Sequence, residues 1–326
     1  MMKLNLRRLL PVAVALAILI ILIYLAFFAS GVRTGDPLAG LDTGYLVAWG
    51  DDTNGQVSDL PGGDDFVAVA AGFRHSLALR SDGSLAAWGR DTDQQVRDTP
   101  GEDDFIAIAA GHNHNVALRE DGTVIQWGWD PHITDDRSIV AGRIPRREGH
   151  IQISAAGTHS LALHREGYIV AWGWNLNRQV TDTPRGNDFI AISAGENHNL
   201  ALREDGTVVA WGNDMLGSVN DTPEEGGFVA ISAGGRHSLA LREDGTMVAW
   251  GWDSRNEVSD TPTDGGYREI SVGYTHSLAI RADSSLIAWG WERSRAGQIR
   301  DLPEGKGFIT IDAGDFHNLA IRKSQH

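Results

Sequence analysis

The chain has 326 residues, a formal net charge of −15 and no cysteine. The absence of thiols excludes disulfides and thiolate metal sites. The acidity argues against nucleic acid as a partner, because acidic surfaces repel phosphate backbones. Lys3, Arg7, Arg8 and Arg33 against Asp36 and Asp42 leave residues 1–43 at +2, so the remainder carries −17.

In chain order, the first feature is an apolar run from Leu9 to Ala29, preceded by Lys3, Arg7 and Arg8. As a helix it would span ~32 Å, which matches the ~30 Å hydrocarbon core of a bilayer. A cleavable signal has a shorter apolar core and a small-residue exit. "AFFASG" (26–31) is a mediocre exit, with Ala29 and Gly31 as its best pair. Residues 1–29 therefore read as an uncleaved signal anchor, a transmembrane helix with its basic flank in the cytoplasm. Residues 30–43 read as a linker, and cleavage would instead secrete the body. Either way the body is expected outside the cytoplasmic membrane.

From residue 44 the chain is repetitive. A Trp-Gly pair recurs at Trp49, Trp88, Trp127, Trp172, Trp211, Trp250 and Trp289. A histidine recurs in the same register at His75, His114, His159, His198, His237, His276 and His317. The steps are 39 residues, except for 45 at the third unit and 41 at the last histidine. Each unit reads as strands: an alternating "FVAVAAG" (66–72), then "HSLALR" (75–80), a "SDGS" turn (81–84) with glycine supplying positive φ, and "SLAAWG" (84–89). "QQVRDTP" (94–100) suits a short charged fourth strand on an outer edge. Short antiparallel strands in units of ~40 residues are the signature of a β-propeller.

The ends predict closure. The repeats begin with a third strand, "YLVAWG" (45–50), and finish with a first and second, "FITIDAG" (308–314) and "HNLAIR" (317–322). The expected fold is all-β: a seven-bladed β-propeller over residues 44–323, sealed by a composite N-/C-terminal blade, with a tail at 324–326. A non-propeller β-solenoid is the structural alternative.

The units "AGxxHSLALxxDGxxxAWG" resemble the regulator of chromosome condensation repeat, a seven-bladed propeller family, over almost the whole body. The compact spacing and loops such as "AWGDDTNGQV" (48–57) are more similar to the short-repeat type found in β-lactamase inhibitor protein II. The resemblance implies the fold. It does not carry over a GTPase or a β-lactamase as partner.

The repeated histidine has three readings. Catalysis needs one site with mutually oriented groups, and seven near-equivalent copies argue against it. A metal would need several ligands to converge. The third reading is structural: each imidazole bonds backbone at its own "AGxxH" turn. "His-Ser" looks like a base beside a nucleophile, but adjacent strand residues point to opposite faces. His112 and His114 form an i, i+2 pair able to hold a metal only with a third ligand. "DDTNG" (51–55) lacks the glutamate that completes a calcium loop. No phosphate loop or dinucleotide fingerprint is present, and no cofactor is expected.

Comparison of the repeats with one another separates scaffold from variation. The Asp-Gly turns are monotonous, whereas the residues before each histidine and after each Trp-Gly vary, and both variable sets fall on one face. That face carries Phe73, Arg74, Trp129, Trp174, Trp252, Tyr274, Trp291 and Phe316, residue types enriched at binding hot spots. An insertion in the third unit adds Arg137, Arg143, Arg146 and Arg147. The sequence thus predicts a monomeric, non-enzymatic protein-binding propeller whose partner is an unidentified protein, with an envelope or secreted enzyme as the candidate. A glycan or cell-wall binding module and a nucleotide-exchange-factor-like regulator are the alternatives.

Overall fold

A computed structural model describes residues 37–129, 140–292 and 296–324. Its strands form seven antiparallel sheets. Blade 1 consists of Phe66–Ala71, His75–Arg80 and Leu85–Gly89. Blades 2 to 6 repeat this order from Phe105, His150, Phe189, Phe228 and Tyr267. Blade 7 takes Phe308–Ala313 and His317–Arg322 from the end of the chain and Tyr45–Gly50 from its beginning. Inner strands touch in order round the ring, and blade 7 meets blade 1. That contact excludes a solenoid.

The middle strand explains why the pattern reads so clearly. In "HSLALR" the first five residues are all buried. Leu77 and Leu79 fill one face, and small Ser76 and Ala78 let the next blade approach the other. The inner strands depart from simple alternation. In six blades the register slips by one residue near the start, as between Phe66 and Ala68. Such a bulge bends the strand, and it buries both Phe66 and Val67.

The expected fourth strand is absent at 94–100. Asp91 Oδ1 accepts from Val96 N (2.9 Å) and Arg97 N (3.1 Å), and Asp98 N donates to Gln94 O (3.2 Å). Backbone groups spent on local turns are not free for a ladder. Asp52 caps "DDTNG" in the same way, accepting from Val57 N and Ser58 N. Among the described residues, blade 3 alone gains a fourth strand, Val140–Ala141, paired to Trp174 and Gly173.

The "AGxxH" turns and the loops after Trp-Gly share one face, here the loop face. The Asp-Gly turns form the opposite, hairpin face; Gly83 takes φ 83° there, and Asp82 Oδ1 accepts from Ser84 N (2.9 Å). The chain enters the ring on the hairpin face, where Gly44 bridges Phe66 and Lys323 Nζ lies 2.8 Å from Asp42 Oδ1. The expected transmembrane helix at 1–29 and Arg137 lie outside the described residues. Among the described residues no helix is long and apolar enough to cross a membrane.

Candidate functional site

Each repeat histidine clasps the neighbouring blade. His75 Nε2 lies 2.7 Å from Asn115 Oδ1, His159 Nε2 2.6 Å from Asn199 Oδ1, and His276 Nε2 2.6 Å from Asn318 Oδ1. His114, His198, His237 and His317 meet Ser160, Ser238, Ser277 and Ser76 Oγ at 2.8 Å. The seven contacts close a circle. The partner is therefore a side chain one blade on, not the backbone of the histidine's own turn. The cause is steric: the ring lies against the turn glycine, where a Cβ on Gly72 would come 2.4 Å from His75 Cε1.

The acceptors are fixed in turn. Asn115 Nδ2 donates to Gln95 O (2.7 Å), and Trp127 Nε1 donates to the same carbonyl (3.1 Å). Gln56, Gln179 and Gln298 serve Trp88, Trp211 and Trp49 alike. With the asparagine amide turned to glutamine, its oxygen accepts from a histidine that carries its proton on Nε2. The serine-histidine pairs do bring a base to a hydroxyl, through the neighbour's histidine. Yet Ser76 and His317 are both 0% exposed, so no substrate reaches that hydroxyl. Burial pulls the imidazoles down, to about 4 at His75 and about 3 at His114, His237 and His317.

Inside the ring is a cavity of about 250 Å³, lined by the inner strands. Ser154, Ser193, Ser232 and Ser271 accept from backbone amides of the following blade, and Asp312 Oδ2 accepts from Ala71 N (2.7 Å). Lower in the wall, Glu269 Oε1 accepts from Thr310 Oγ1 (2.6 Å) and Ile311 N (3.1 Å), while its Oε2 is buried without a partner. Burial pushes Glu269 up to about 7. A carboxyl raised in the folded state contributes most stability below the unfolded value of 4.5 and loses it as pH rises through about 7. Glu269→Gln keeps the accepting oxygen and removes the charge. It should raise the melting temperature by about 10 °C at pH 8 and by roughly half as much at pH 6, where the folded carboxyl is still mostly protonated. Equal shifts at both pH values would refute this account.

At the loop-face mouth, Phe73 meets Phe316 edge-on at 5.2 Å, and Tyr274 lies 6.4 Å from Phe316. His112 Nε2 lies 3.2 Å from Asp315 Oδ2 across the mouth. Burial opposes the charge on His112, but Asp315 overrides it and raises the imidazole. Burial also pushes the Glu196 carboxyl up, with His112 partly offsetting it. His112 and His114 do not form a pair: one faces Asp315 and the other Ser160. Among the described residues no group of three histidines or carboxylates is placed to hold a metal.

The predicted binding residues are brought together only in part. Phe73, Arg74, Tyr274 and Phe316 form one cluster, with Arg74 lying over both phenylalanine rings. Trp129, Trp174, Trp252 and Trp291 sit on separate blades, half-buried, with no ring contact among them in the described residues. Arg236 covers Trp252 and Tyr274, and Arg255 covers Trp291. Arg143, Arg146 and Arg147 run from the top of blade 3 down to His150 at its hairpin end, away from the loop face. Sequence reasoning missed Leu176, Met215 and Leu216, which are 65%, 60% and 47% exposed. The equivalent positions in other repeats hold Thr53, Thr92, Ser254, Asn54 and Asp93, and that contrast was the available signal.

The regulator of chromosome condensation (RCC1) repeat model matches residues 66–95, 105–132, 189–214 and 228–257. Comparison with curated proteins finds no match. Among solved structures, Prp20p of Saccharomyces cerevisiae is similar at TM-score 0.69 and 18% identity, over 88% of this chain and 93% of that one. Human WBSCR16 gives 0.68 and 17%, over 87% and 100%. The ectodomain of the Arabidopsis thaliana receptor kinase ACR4 gives 0.62 and 21%, over 79% and 92%. Likeness at these identities speaks for the ring alone: the chain is a β-propeller, and four stretches of it match the regulator of chromosome condensation repeat.

Proposed function

We propose that this chain is a non-enzymatic protein-binding propeller that works through its loop face and is tethered outside the cytoplasmic membrane by residues 1–29. The observation that carries the reading is the contrast between the two faces. The hairpin face repeats one Asp-Gly turn, as at Asp82, Asp121, Asp205 and Asp244. The loop face differs at every blade and gathers Phe73, Arg74, Tyr274 and Phe316 at its mouth. Chemistry held constant round the ring builds the ring, and chemistry that varies discriminates among partners.

Two further points support it. The chain enters on the hairpin face, so a tether there turns the loop face away from the membrane. Propellers of this fold include one studied for binding Gsp1p and histones and one that is a receptor-kinase ectodomain. A protein partner is favoured over a glycan because Arg236 and Arg255 lie on the tryptophan rings a sugar would stack against.

The test is proximity labelling from the C-terminus in intact cells, beside the triple variant Trp174→Ala, Trp252→Ala, Tyr274→Ala. Envelope proteins labelled by the parent should fall at least tenfold in the variant, as expected when anchors worth about 2 kcal/mol are lost. Cytoplasmic labelling would overturn the topology, and unchanged envelope labelling would overturn the choice of face.

A further inference from the structure

The exposed apolar side chains missed by the sequence reading lie beside one another on the loop face. The loop after blade 4 carries Met215 and Leu216, and the loop after blade 3 carries Leu176. Asparagine side chains tie the two loops together. Asn213 Nδ2 donates to Asn177 Oδ1 (3.2 Å), and Asn177 Nδ2 donates to Asn197 Oδ1 (3.1 Å). The apolar tips are therefore held rigidly in water.

Leu216 is also strained. Its backbone sits at φ 67°, ψ 33°, a left-handed conformation that disfavours a side chain by roughly 1–2 kcal/mol. Glycine or asparagine would relieve this, and the next residue, Gly217, is also left-handed. A strained backbone that presents an exposed leucine points to use of that side chain.

Between blades 4 and 5, Met215 and Leu216 border a pocket of about 150 Å³, walled by Glu196, Arg236 and Tyr274, with Leu176 outside it. A cavity of about that size holds one benzene ring. Met215 supplies a flexible, polarizable wall suited to an aromatic guest. The charges nearby are unbalanced: Asp182 is answered by Arg178 at 3.8 Å, whereas Asp214 and Asp221 meet no cation among the described residues. Arg236 keeps its positive charge while lying on Trp252 and Tyr274, and Glu196 in the same wall interacts with it, so the excess negative charge is that of Asp214 and Asp221.

We propose that the gap between blades 4 and 5 is a docking pocket for one aromatic side chain carried on a basic loop of a partner protein. The inference rests on the protein-binding reading and adds to it the site and the chemistry of the partner. Size selects the aromatic ring. The uncompensated carboxylates select lysine or arginine beside it, because opposite charge across an interface sets orientation and suppresses wrong partners.

The chain offers a convenient reporter. It has four methionines, Met1, Met2, Met215 and Met247, and Met247 is buried on blade 5 as an internal control. The full chain, labelled with 13C at the methionine methyls and held in detergent micelles, is titrated with the peptide acetyl-Lys-Phe-Lys-amide. The expected result is a saturable shift of Met215 with Met247 fixed, and none with acetyl-Lys-Ala-Lys-amide. Leu216→Gly fits the left-handed backbone, so it should fold at least as well as the parent yet bind the peptide about tenfold more weakly. No Met215 shift at millimolar peptide would overturn the pocket. An equal shift with acetyl-Glu-Phe-Glu-amide would overturn the basic partner. If the peptide fails while the triple loop-face variant still loses its envelope partners, the pocket falls and the protein-binding reading stands.

Discussion

Acidification should unfold the propeller at about pH 5 with the uptake of several protons, above the values of about 4 at which ordinary surface carboxylates titrate. The seven clasping histidines are buried and held neutral. Burial sets their folded values at about 4 for His75, His159 and His198 and about 3 for His114, His237 and His317, and it lowers His276 as well. In the unfolded chain each returns to 6.5. A base lowered in the folded state contributes stability that is fully present above 6.5 and is lost as pH falls toward the folded value. At pH 5 the loss is about 2 kcal/mol per histidine. Six or seven such losses equal the whole stability of an ordinary domain, 5–15 kcal/mol. Glu269, Asp312 and His112 work in the opposite direction, since their raised values favour the folded state as protons bind, but they are fewer. Circular dichroism against pH measures the midpoint, and the slope of the unfolding constant gives the protons taken up. A midpoint below pH 3, or an uptake of one proton, would mean the histidines are not held neutral by the clasp.

Trp49→Ala should lower the melting temperature by about 10 °C, and it should do so by loosening one seam. Trp49 is 3% exposed and shares a buried cluster with Leu278, Ile280 and Leu286 of blade 6. Removing such a side chain costs about 3–5 kcal/mol, and each kcal/mol moves the melting point of a domain this large by roughly 2–4 °C. Trp211→Ala should cost a similar amount, since Trp211 is equally buried and donates to the same kind of carbonyl. The difference is in where the damage appears. The strand of Trp211 is joined to its neighbour by a hairpin. Tyr45–Gly50 has no hairpin to His317–Arg322 and is held by pairing and packing without a short covalent link. Amide exchange at 46–50 should therefore quicken far more in Trp49→Ala than exchange at 208–212 does in Trp211→Ala. Equal quickening in the two variants would show that the seam is no weaker than a hairpin.

The ring was legible because two markers, the tryptophan and the histidine, keep one register, and because the opening third strand supplies what the last blade lacks. The clasp was not legible in the same way. Its two halves lie one repeat apart, and local reasoning looked for the histidine's partner within its own turn. One trace was available: the residue after each histidine is always serine or asparagine, at Ser76, Asn115, Ser160, Asn199, Ser238, Ser277 and Asn318. Both are short side chains that accept a hydrogen bond. The fourth strand failed because Asp91 and its equivalents consume the local amides. The tryptophans were legible as variable residues on one face. Arg236 covers Trp252 from within the same blade, in the turn whose carbonyl the Trp252 amide meets, and Arg255 covers Trp291 from the blade before; neither approach is written in a linear pattern.

The composite seventh blade has a consequence for biosynthesis. Strand Tyr45–Gly50 leaves the ribosome first among the strands, and its partner His317–Arg322 leaves last. At ~5–20 residues per second the gap is roughly 15–55 s. Throughout that interval Leu46 and Trp49 have no sheet to join, and the growing arc has an open inner edge at each end. The early strand is thus a client for whatever shields nascent apolar segments. Emergence of His317–Arg322, rather than any local folding step, sets the moment at which the circle of histidines closes.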